Sequence, residues 1–355
     1  MGKLVGFLFV IVLLGAAAAG GGWFWLNGAY TAAGPASEDG KPRLVVVEKG
    51  AATPAIATSL KEAGVIADAD QFRLVLRLRE FMGDKPVMKA GEYSIDSGAS
   101  MEAVVAELTT GASMQYAVII PEGLSTVQIM ELLTTKDWKA TTGTELTYKL
   151  GGEAPTDIPE GVLLPGDYAV SRGDTVADVV KRMRDAQTAL LDEIWEKRAA
   201  GIPVKTREEA IILASIVEKE TGNADEQPEV AGLYSNRLKQ SMRLQADATI
   251  VYGISKGRPL GRSITSAEIA AANNWNTYQM DGLPKTPICN PGAGAIRAAL
   301  NPAPTDAIYM MADGTGGHDF AATYAEHQRN VDAYWAKRKA NEAAGVNTPA
   351  VKPKQ

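Results

Sequence analysis

The first apolar stretch of the chain is long enough to predict a membrane anchor. Residues 4–26 contain no charged side chain. As an α-helix this run would be about 34 Å long, whereas the hydrocarbon core of a bilayer is about 30 Å thick. Lys3 lies in the short preceding segment, residues 1–3, so we expect that segment to be cytoplasmic and the rest of the chain to lie outside.

A cleaved signal peptide is the alternative interpretation of the same run. Ala17, Ala18 and Ala19 are small residues of the kind found at cleavage sites. The apolar run nevertheless continues through Trp23 to Leu26, which favours an anchor. Residues 27–42 are rich in Gly, Ala and Ser and predict a flexible linker.

Beyond the linker, one local pattern occurs four times. A short run of β-branched or aromatic residues is followed by a glycine, by a Ser or Thr that can cap a helix, and by a stretch with helical periodicity. The four copies are Val45–Val47 with Gly50 and Thr53, Tyr93–Ile95 with Gly98 and Ser100, Val118–Ile120 with Gly123 and Ser125, and Tyr168–Val170 with Gly173 and Thr175. Their spacing is irregular, which argues against a solenoid and for an α+β fold.

Within residues 43–113, the stretch from Leu44 to Ile95 predicts the order strand, helix, helix, strand. This order resembles a LysM-like module, which binds glycans. Strand and helix units of this kind are also common in α+β proteins without that function. A LysM-like region is therefore an expectation for these residues, and glycan binding is one of two interpretations.

Two helices are predicted in the second half of the chain. Val176 to about Lys197 carries one apolar stripe, which we interpret as core; its members are Val176, Val179, Val180, Met183, Leu190 and Ile194. The next helix has a start signal, because Thr206 precedes Glu209 in capping-box spacing. Residues 210–217 of this helix are apolar on nearly every face, so we expect it to be buried.

Glu218 follows directly after this buried run. It shares a helical stripe with Ile211, Ala214 and Ser215, so its carboxyl group should lie against apolar neighbours. Loss of solvation would raise its pKa and allow it to donate a proton. The simpler alternative is that Glu218 ends the helix in solvent beside Lys219 and Glu220.

Composition excludes several classes of function. The net charge of −6 and the lack of a dense basic patch argue against nucleic acid as a partner. Cys289 is the only cysteine, so no disulfide within the chain is possible. The spacing of His318 and His327 matches no zinc pattern. We therefore expect neither a metal nor a cofactor.

Several ordered sequence blocks carry a family resemblance. They are residues 213–221 (LASIVEKET), 235–238 (SNRL), 242–247 (MRLQAD), 249–253 (TIVYG), 276–278 (NTY), 282–284 (GLP), 287–292 (PICNPG) and 316–320 (GGHDF), followed by Thr323, Glu326 and His327. Together they resemble the endolytic murein transglycosylase (MltG, YceG-like) family over residues 122–331. The chain departs from the family pattern at Ala248, Lys285, Asn274–Trp275 and Gln328, which affects the expected loop shapes but not Glu218.

The resemblance implies lytic cleavage of the bond between N-acetylmuramic acid and N-acetylglucosamine by one carboxylic acid. Glu218 would protonate the leaving oxygen and then take the proton of the sugar's 6-hydroxyl, closing a 1,6-anhydro ring. The family blocks assign five residues to the substrate cleft: Gln245, Asp247, Tyr252, Asn290 and His318. For each of them, a hydrogen bond that only fixes a loop is the alternative. Glu220 and Asp247 are the candidates for a second acid.

The expected fold is α+β, with an N-terminal transmembrane helix, a LysM-like module and a mixed α/β catalytic domain over residues 114–338. Residues 339–355 are polar and predict a flexible tail. The resemblance also implies peptidoglycan strands as substrate, membrane-bound peptidoglycan synthases as partners, and a catalytic domain held outside the cytoplasm at the inner membrane.

Two other classes of function fit the sequence less well. Cys289 and His318 could form a nucleophile and base for acyl transfer in the envelope, although Cys289 lies in a proline-rich loop without a visible activating group. The chain could also be a non-catalytic scaffold that binds glycan through the LysM-like region.

Overall fold

A computed structural model describes residues 13–14, 20–141 and 146–343. Most of the predicted anchor, residues 4–26, lies outside the described residues. Within the described part of the chain, no helix is both long enough and apolar enough to span a bilayer.

The predicted linker is partly helical, which corrects the expectation for its first residues. Residues 20–31 form helix α1, so the helix continues five residues into the segment expected to be a linker. Leu26 and Tyr30 are buried, and the Arg79 guanidinium lies 4.4 Å from the centroid of the Tyr30 ring. This packing stabilises the end of α1, residues 27–31, which the local sequence predicted as linker.

The chain divides into two compact units, and each is built from several segments. The first consists of Met1–Ala117, Asp137–Gly151 and Ala169–Asp174, and the second of Val118–Lys136, Gly152–Tyr168 and Thr175–Gln355. A single boundary between residues 113 and 114 is therefore too simple, because two later segments belong to the first unit.

The first unit shows the predicted order of strand, helix, helix, strand. The elements are β1 (Arg43–Val47), α2 (Thr53–Glu62), α3 (Ala69–Phe81) and β2 (Gly91–Ile95), followed by α4 (Met101–Thr110). β1 and β2 pair antiparallel, with Val45 opposite Tyr93. Ser100 caps α4 as predicted, but Thr53 is the first residue of α2 and not its cap, because Ala52 occupies that position.

Three further strand pairs complete the sheets of the described residues. β3 (Gln115–Ile120) pairs with β6 (Gly166–Ser171); β4 (Asp137–Lys139) pairs antiparallel with β5 (Thr147–Lys149); and β7 (Tyr309–Ala312) pairs antiparallel with β8 (His318–Ala321). With these pairs and the helices, the fold is mixed α/β.

Most helices belong to the second unit. They are α5 (Thr126–Thr135), α6 (Val176–Ile194), α7 (Arg207–Glu220), α8 (Gln227–Lys239), α9 (Asp247–Ser255), α10 (Ser266–Ala270), α11 (Ala293–Leu300) and α12 (Tyr324–Ala343). Ser125 and Thr175 cap α5 and α6 with reciprocal capping boxes, as their sequence positions predicted. The α12 helix extends to Ala343, so the predicted tail begins inside a helix, and residues 344–355 lie outside the described residues.

The core of the second unit surrounds α7. Thr206 caps this helix through the N–H group of Glu209, and every residue from Ala210 to Val217 is buried. The predicted stripe of α6 is buried as well. Because α7 is enclosed by apolar side chains, the end of this helix is fixed in the unit, and the end carries Glu218.

Candidate active site

Glu218 lies in the last turn of α7 and is half-buried. Its predicted stripe is confirmed, because Ile211, Ala214 and Ser215 are all buried. The carboxyl group therefore extends from an apolar helix to the edge of the core, where two glycine-containing segments enclose it.

The first enclosing segment leads into α11. The hydroxyl of Ser215 accepts a 3.1 Å hydrogen bond from the N–H of Ile288, which fixes this segment beside α7. At its end, the N–H of Gly292 donates a 3.1 Å hydrogen bond to Oε2 of Glu218. Gly292 is the N-cap residue of α11, where backbone N–H groups need acceptors. The carboxyl group of Glu218 is one such acceptor.

The second enclosing segment is the turn after β3. Gly123 has φ of +73°, a conformation that glycine adopts without strain. A methyl group on Gly123 would lie 3.5 Å from Oε1 of Glu218. The turn is tied to the first segment, because the N–H of Gly123 donates to the carbonyl of Asn290 at 3.1 Å. Lys219 Nζ also donates to the Gly123 carbonyl, at 3.3 Å.

This enclosure changes the proton affinity of Glu218. Burial raises its pKa above the usual value, and the negative charge of Glu122 raises it further. The hydrogen bond from Gly292 and the charge of Lys219 act in the opposite direction without cancelling the effect of burial. The direction is the one that a general acid requires at neutral pH.

Glu122 is an exposed carboxyl group beside the site that sequence reasoning did not single out. A methyl group on Gly292 would overlap the Glu122 carboxyl group, so Gly292 contacts both Glu122 and Glu218. The only sequence signal was its position two residues after the end of β3.

Asn290 is fully buried and holds three segments together. Its side-chain oxygen accepts a hydrogen bond from the N–H of Leu163 at 3.0 Å. Its side-chain nitrogen donates to Leu124 O, to Thr126 Oγ1 and, at 2.9 Å, to Glu160 Oε1. These bonds correspond to the loop-fixing alternative for Asn290, and they position the backbone on both sides of Glu218.

Glu160 is a second carboxyl group absent from the sequence prediction. Burial raises its pKa, while hydrogen bonds from Thr126 and Tyr252 act to lower it. Its Oε1 accepts bonds from the N–H and the hydroxyl of Thr126, at 2.7 and 3.0 Å. Glu160 therefore holds the start of α5 and the side chain of Asn290 in place.

Tyr252 lines an open cavity of about 280 Å³ next to these groups. The cavity is also lined by Lys219 and by Gly123, which lies against the Glu218 side chain. The Tyr252 ring lies 5.7 Å from that of Trp275 in a tilted arrangement. Burial and the charge of Glu160 raise the pKa of Tyr252, so its hydroxyl stays protonated and can donate.

The side chains of Gln245 and Asp247 have other neighbours than Glu218 has. Gln245 lines a small cavity of about 60 Å³ with Arg237 and Tyr278. Asp247 accepts a 2.7 Å hydrogen bond from the hydroxyl of Tyr278. The Gln245 side chain accepts a 3.4 Å hydrogen bond from Arg237, and the bond from Tyr278 to Asp247 fixes the first residue of α9. Contact of either residue with a substrate stays a prediction.

His318 begins β8 and is oriented by Glu226. The ring Nδ1 of His318 lies 2.9 Å from Glu226 Oε2, and the backbone N–H of His318 donates to Glu226 Oε1 at 3.0 Å. Thr221, the residue that follows α7, donates its hydroxyl to the same carboxyl group at 3.1 Å. Glu226 therefore connects His318 to the end of the helix that carries Glu218. No local pattern in the sequence predicted this contact.

Cys289 does not have the surroundings of a nucleophile. Its side chain is 1% exposed, and its thiol donates to the carbonyl of Ser215 at 3.4 Å. Burial raises the pKa of this thiol well above its usual value. The imidazole of His318 is held by Glu226, so the two side chains have different partners.

Comparison with known proteins matches this chain to one family. The YceG-like family corresponds to residues 45–333. The chain is 27% identical over 322 residues to the endolytic murein transglycosylase of Bacillus subtilis (strain 168), covering 84% of this chain and 87% of that protein. The protein of the same name from Streptococcus pneumoniae serotype 2 (strain D39 / NCTC 7466) is also 27% identical, over 368 residues, covering 92% of this chain and 64% of that protein.

Among solved structures, the yceG-like protein lmo1499 from Listeria monocytogenes aligns with 23% identity and a TM-score of 0.45. The alignment covers 81% of this chain and 99% of the Listeria chain. Because the family match extends over most of the sequence, this chain belongs to the YceG-like family.

Proposed function

We propose that this chain is an endolytic lytic transglycosylase of peptidoglycan with Glu218 as its catalytic acid and base. The observation that carries the proposal is the half-buried carboxyl group of Glu218 between Gly123 and Gly292, with its pKa raised by burial. The related proteins named endolytic murein transglycosylases support the substrate class, a murein glycan strand.

The reaction requires one group that gives a proton and then takes one. The protonated Glu218 carboxyl gives its proton to the glycosidic oxygen as the bond between N-acetylmuramic acid and N-acetylglucosamine breaks. The 6-hydroxyl oxygen of the muramic acid then bonds to its anomeric carbon, and the Glu218 carboxylate accepts the hydroxyl proton. The products are a free N-acetylglucosamine end and a 1,6-anhydro end, and no water is consumed.

The substrate lies, in this proposal, along the cavity lined by Tyr252, whose ring and hydroxyl can contact a sugar. His318, Gln245 and Asp247 are proposed as further polar contacts to the strand. Asn290 has no exposed surface, so in this proposal it acts only by positioning the loops that it joins. Of the five residues, Tyr252 is the one that lines this cavity.

Variants of the purified protein with nascent, uncrosslinked glycan test the proposal. Glu218→Gln keeps the shape of the side chain but removes the proton, so turnover should fall by about a hundredfold to ten-thousandfold. Cys289→Ser should stay within about twofold of the wild-type protein. Loss of activity in Cys289→Ser together with an active Glu218→Gln would favour the acyl-transfer alternative. Glycan binding without turnover by the wild-type protein would favour the scaffold.

The same proposal places the catalytic unit outside the cytoplasm on a single N-terminal anchor. The uncharged run of residues 4–26 supports an anchor, and Lys3 supports its orientation. Tethering would raise the local concentration of the enzyme near membrane-bound peptidoglycan synthases, which are its proposed partners. A processed N-terminus near Gly20, found by mass spectrometry of the protein from its membrane fraction, would contradict the anchor.

For the first unit we propose glycan binding by the strand–helix–helix–strand segment from Arg43 to Ile95, a LysM-like role. The support is the antiparallel pairing of β1 and β2 with two intervening helices. The proposal predicts that the full chain with Glu218→Gln still co-sediments with purified glycan. Protection of this segment from hydrogen exchange by chitooligosaccharide would locate binding there, and unchanged exchange would contradict it.

A further inference from the structure

Gly292 brings a second carboxyl group close to Glu218. Its N–H donates to Oε2 of Glu218 at 3.1 Å, and a methyl group on its Cα would overlap Oε1 of Glu122. The path from Oε1 of Glu122 through the Cα and N atoms of Gly292 to Oε2 of Glu218 limits the separation of these two oxygens to about 8 Å or less. Carboxyl groups that flank one glycosidic bond are separated by roughly 5–9.5 Å. The two groups can therefore act on the same bond.

Their surroundings differ in the way that two distinct roles require. Glu218 is half-buried, accepts a hydrogen bond and has a raised pKa. Glu122 is exposed, and among the described residues its carboxyl group has no hydrogen bond or ion pair. A desolvated carboxyl group beside a solvated one is the pattern of acid and stabiliser in glycan-cleaving sites.

Other nearby carboxyl groups are engaged in holding the fold. Oε1 of Glu160 accepts hydrogen bonds from Thr126 and Asn290. Asp247, a candidate second acid from the sequence, accepts a hydrogen bond from Tyr278. The carboxyl group of Glu122 is free of such bonds within the described segments and lies directly against Gly292.

The backbone that carries Glu122 is fixed before substrate arrives. Val118 and Ile120, at the end of β3, are buried, and the N–H of Gly123 donates a hydrogen bond to the carbonyl of Asn290. A charge held in place by the fold stabilises a transition state without reorganisation during the reaction. Rigid placement is the property that an electrostatic catalyst needs.

We propose that Glu122 is a second catalytic residue of this site, and that its carboxylate stabilises the positive charge that develops on the anomeric carbon. The inference rests on the proposed lytic reaction. The bond from the anomeric carbon to the leaving oxygen breaks with its electron pair on that oxygen, which takes the proton of Glu218. The 6-hydroxyl oxygen then closes the ring and returns its proton to Glu218. Glu122 neither gives nor receives an atom.

The test compares Glu122→Gln with wild-type full-length protein on nascent glycan. Loss of the charge should lower kcat by roughly a hundredfold, the order found for removal of one preorganised electrostatic contact, with little change in KM. The pH at which kcat begins to fall should also move lower, because Glu218 loses a neighbouring negative charge. Glu122→Ala should recover part of its activity when formate is added, since formate can supply a carboxylate in the space.

Glu153→Gln is the matched control, because Glu153 is also an exposed glutamate of the second unit and lies outside the site. It should keep the wild-type kcat and pH profile. A kcat of Glu122→Gln within twofold of wild type, with an unchanged pH profile, would overturn the proposal. Glu218→Gln, measured in parallel, separates failure of the proposed function from failure of the role of Glu122. If Glu218→Gln stays active, the proposed function is wrong. If Glu218→Gln is inactive while Glu122→Gln keeps wild-type activity, only the role of Glu122 is wrong.

Discussion

The N-cap residue of α11, Gly292, holds the carboxyl group of Glu218, which lies in the last turn of α7. The two residues are 74 positions apart in the sequence and are joined by a hydrogen bond of 3.1 Å. The start of one helix thus positions the reactive group at the end of another.

Gly292→Ala should impair catalysis through a steric effect. Gly292 has φ of −70°, so alanine fits the backbone, but its methyl group would overlap the Glu122 carboxyl group. Displacement by about 1 Å can cost roughly a hundredfold in rate, so kcat on nascent glycan should fall by about tenfold to a hundredfold. Gly222→Ala is the control, since a methyl group there has no neighbour within 4 Å. Equal activity of both variants would show that Gly292 does not position these groups.

Glu218→Gln should stabilise the folded protein at neutral pH. Because burial raises the pKa of Glu218 in the folded state, the ionised carboxylate destabilises that state, and the cost grows as pH rises above 4.5, the ordinary value, towards the raised pKa. Thermal unfolding should show a midpoint higher by roughly 2–4 °C for the variant at pH 7.5. The difference between the variant and the wild-type protein should disappear near pH 4, where the side chain at position 218 is uncharged in both. A variant less stable than wild type at pH 7.5 would contradict the burial of this charge.

Asn290→Ala should destabilise the protein rather than only weaken substrate binding. The change leaves the buried N–H of Leu163 without its acceptor and removes one of the donors to the Glu160 carboxyl group. An unsatisfied buried group costs about 1–3 kcal/mol, so the free energy of unfolding should fall by about that amount. Urea unfolding monitored by tryptophan fluorescence measures this loss. A stable variant with only a raised KM would instead assign Asn290 to the substrate.

Glu226→Gln should disturb the orientation of His318. Burial alone would raise the pKa of Glu226, but the hydrogen bonds from His318 and Thr221 lower it below its usual value. The carboxylate therefore contributes stability that is present above pH 4.5 and is lost as pH falls through the lowered pKa. We expect kcat/KM on nascent glycan to fall about tenfold at neutral pH. We also expect a destabilisation that shrinks in acid, measured by thermal unfolding between pH 3 and pH 7.5. An unchanged kcat/KM would show that the orientation of His318 is irrelevant to turnover.

The elements of this fold that depend on local pattern could be predicted from sequence. Periodicity identified the buried stripe of α6, and the spacing of Thr206 and Glu209 predicted the start of α7. The apolar run before Glu218 correctly placed its carboxyl group against buried residues. These predictions succeed because neighbours on a helix are fixed by the geometry of the helix itself.

The partners of the site residues could not be predicted, because they come from distant parts of the chain. Asn290 and Glu160 are 130 residues apart, and His318 and Glu226 are 92 residues apart. Periodicity carries no information about such pairs. The same limit explains the error at α1, where Tyr30 packs on α3 while its local sequence resembles a linker.

Reaction in water enriched in ¹⁸O tests the central claim most directly, with the glycan products analysed by mass spectrometry. Lytic cleavage by Glu218 predicts new muramic acid ends in the 1,6-anhydro form without any ¹⁸O, and almost no new ends with Glu218→Gln. New reducing ends that carry ¹⁸O, or anhydro ends formed equally well by Glu218→Gln, would contradict the account.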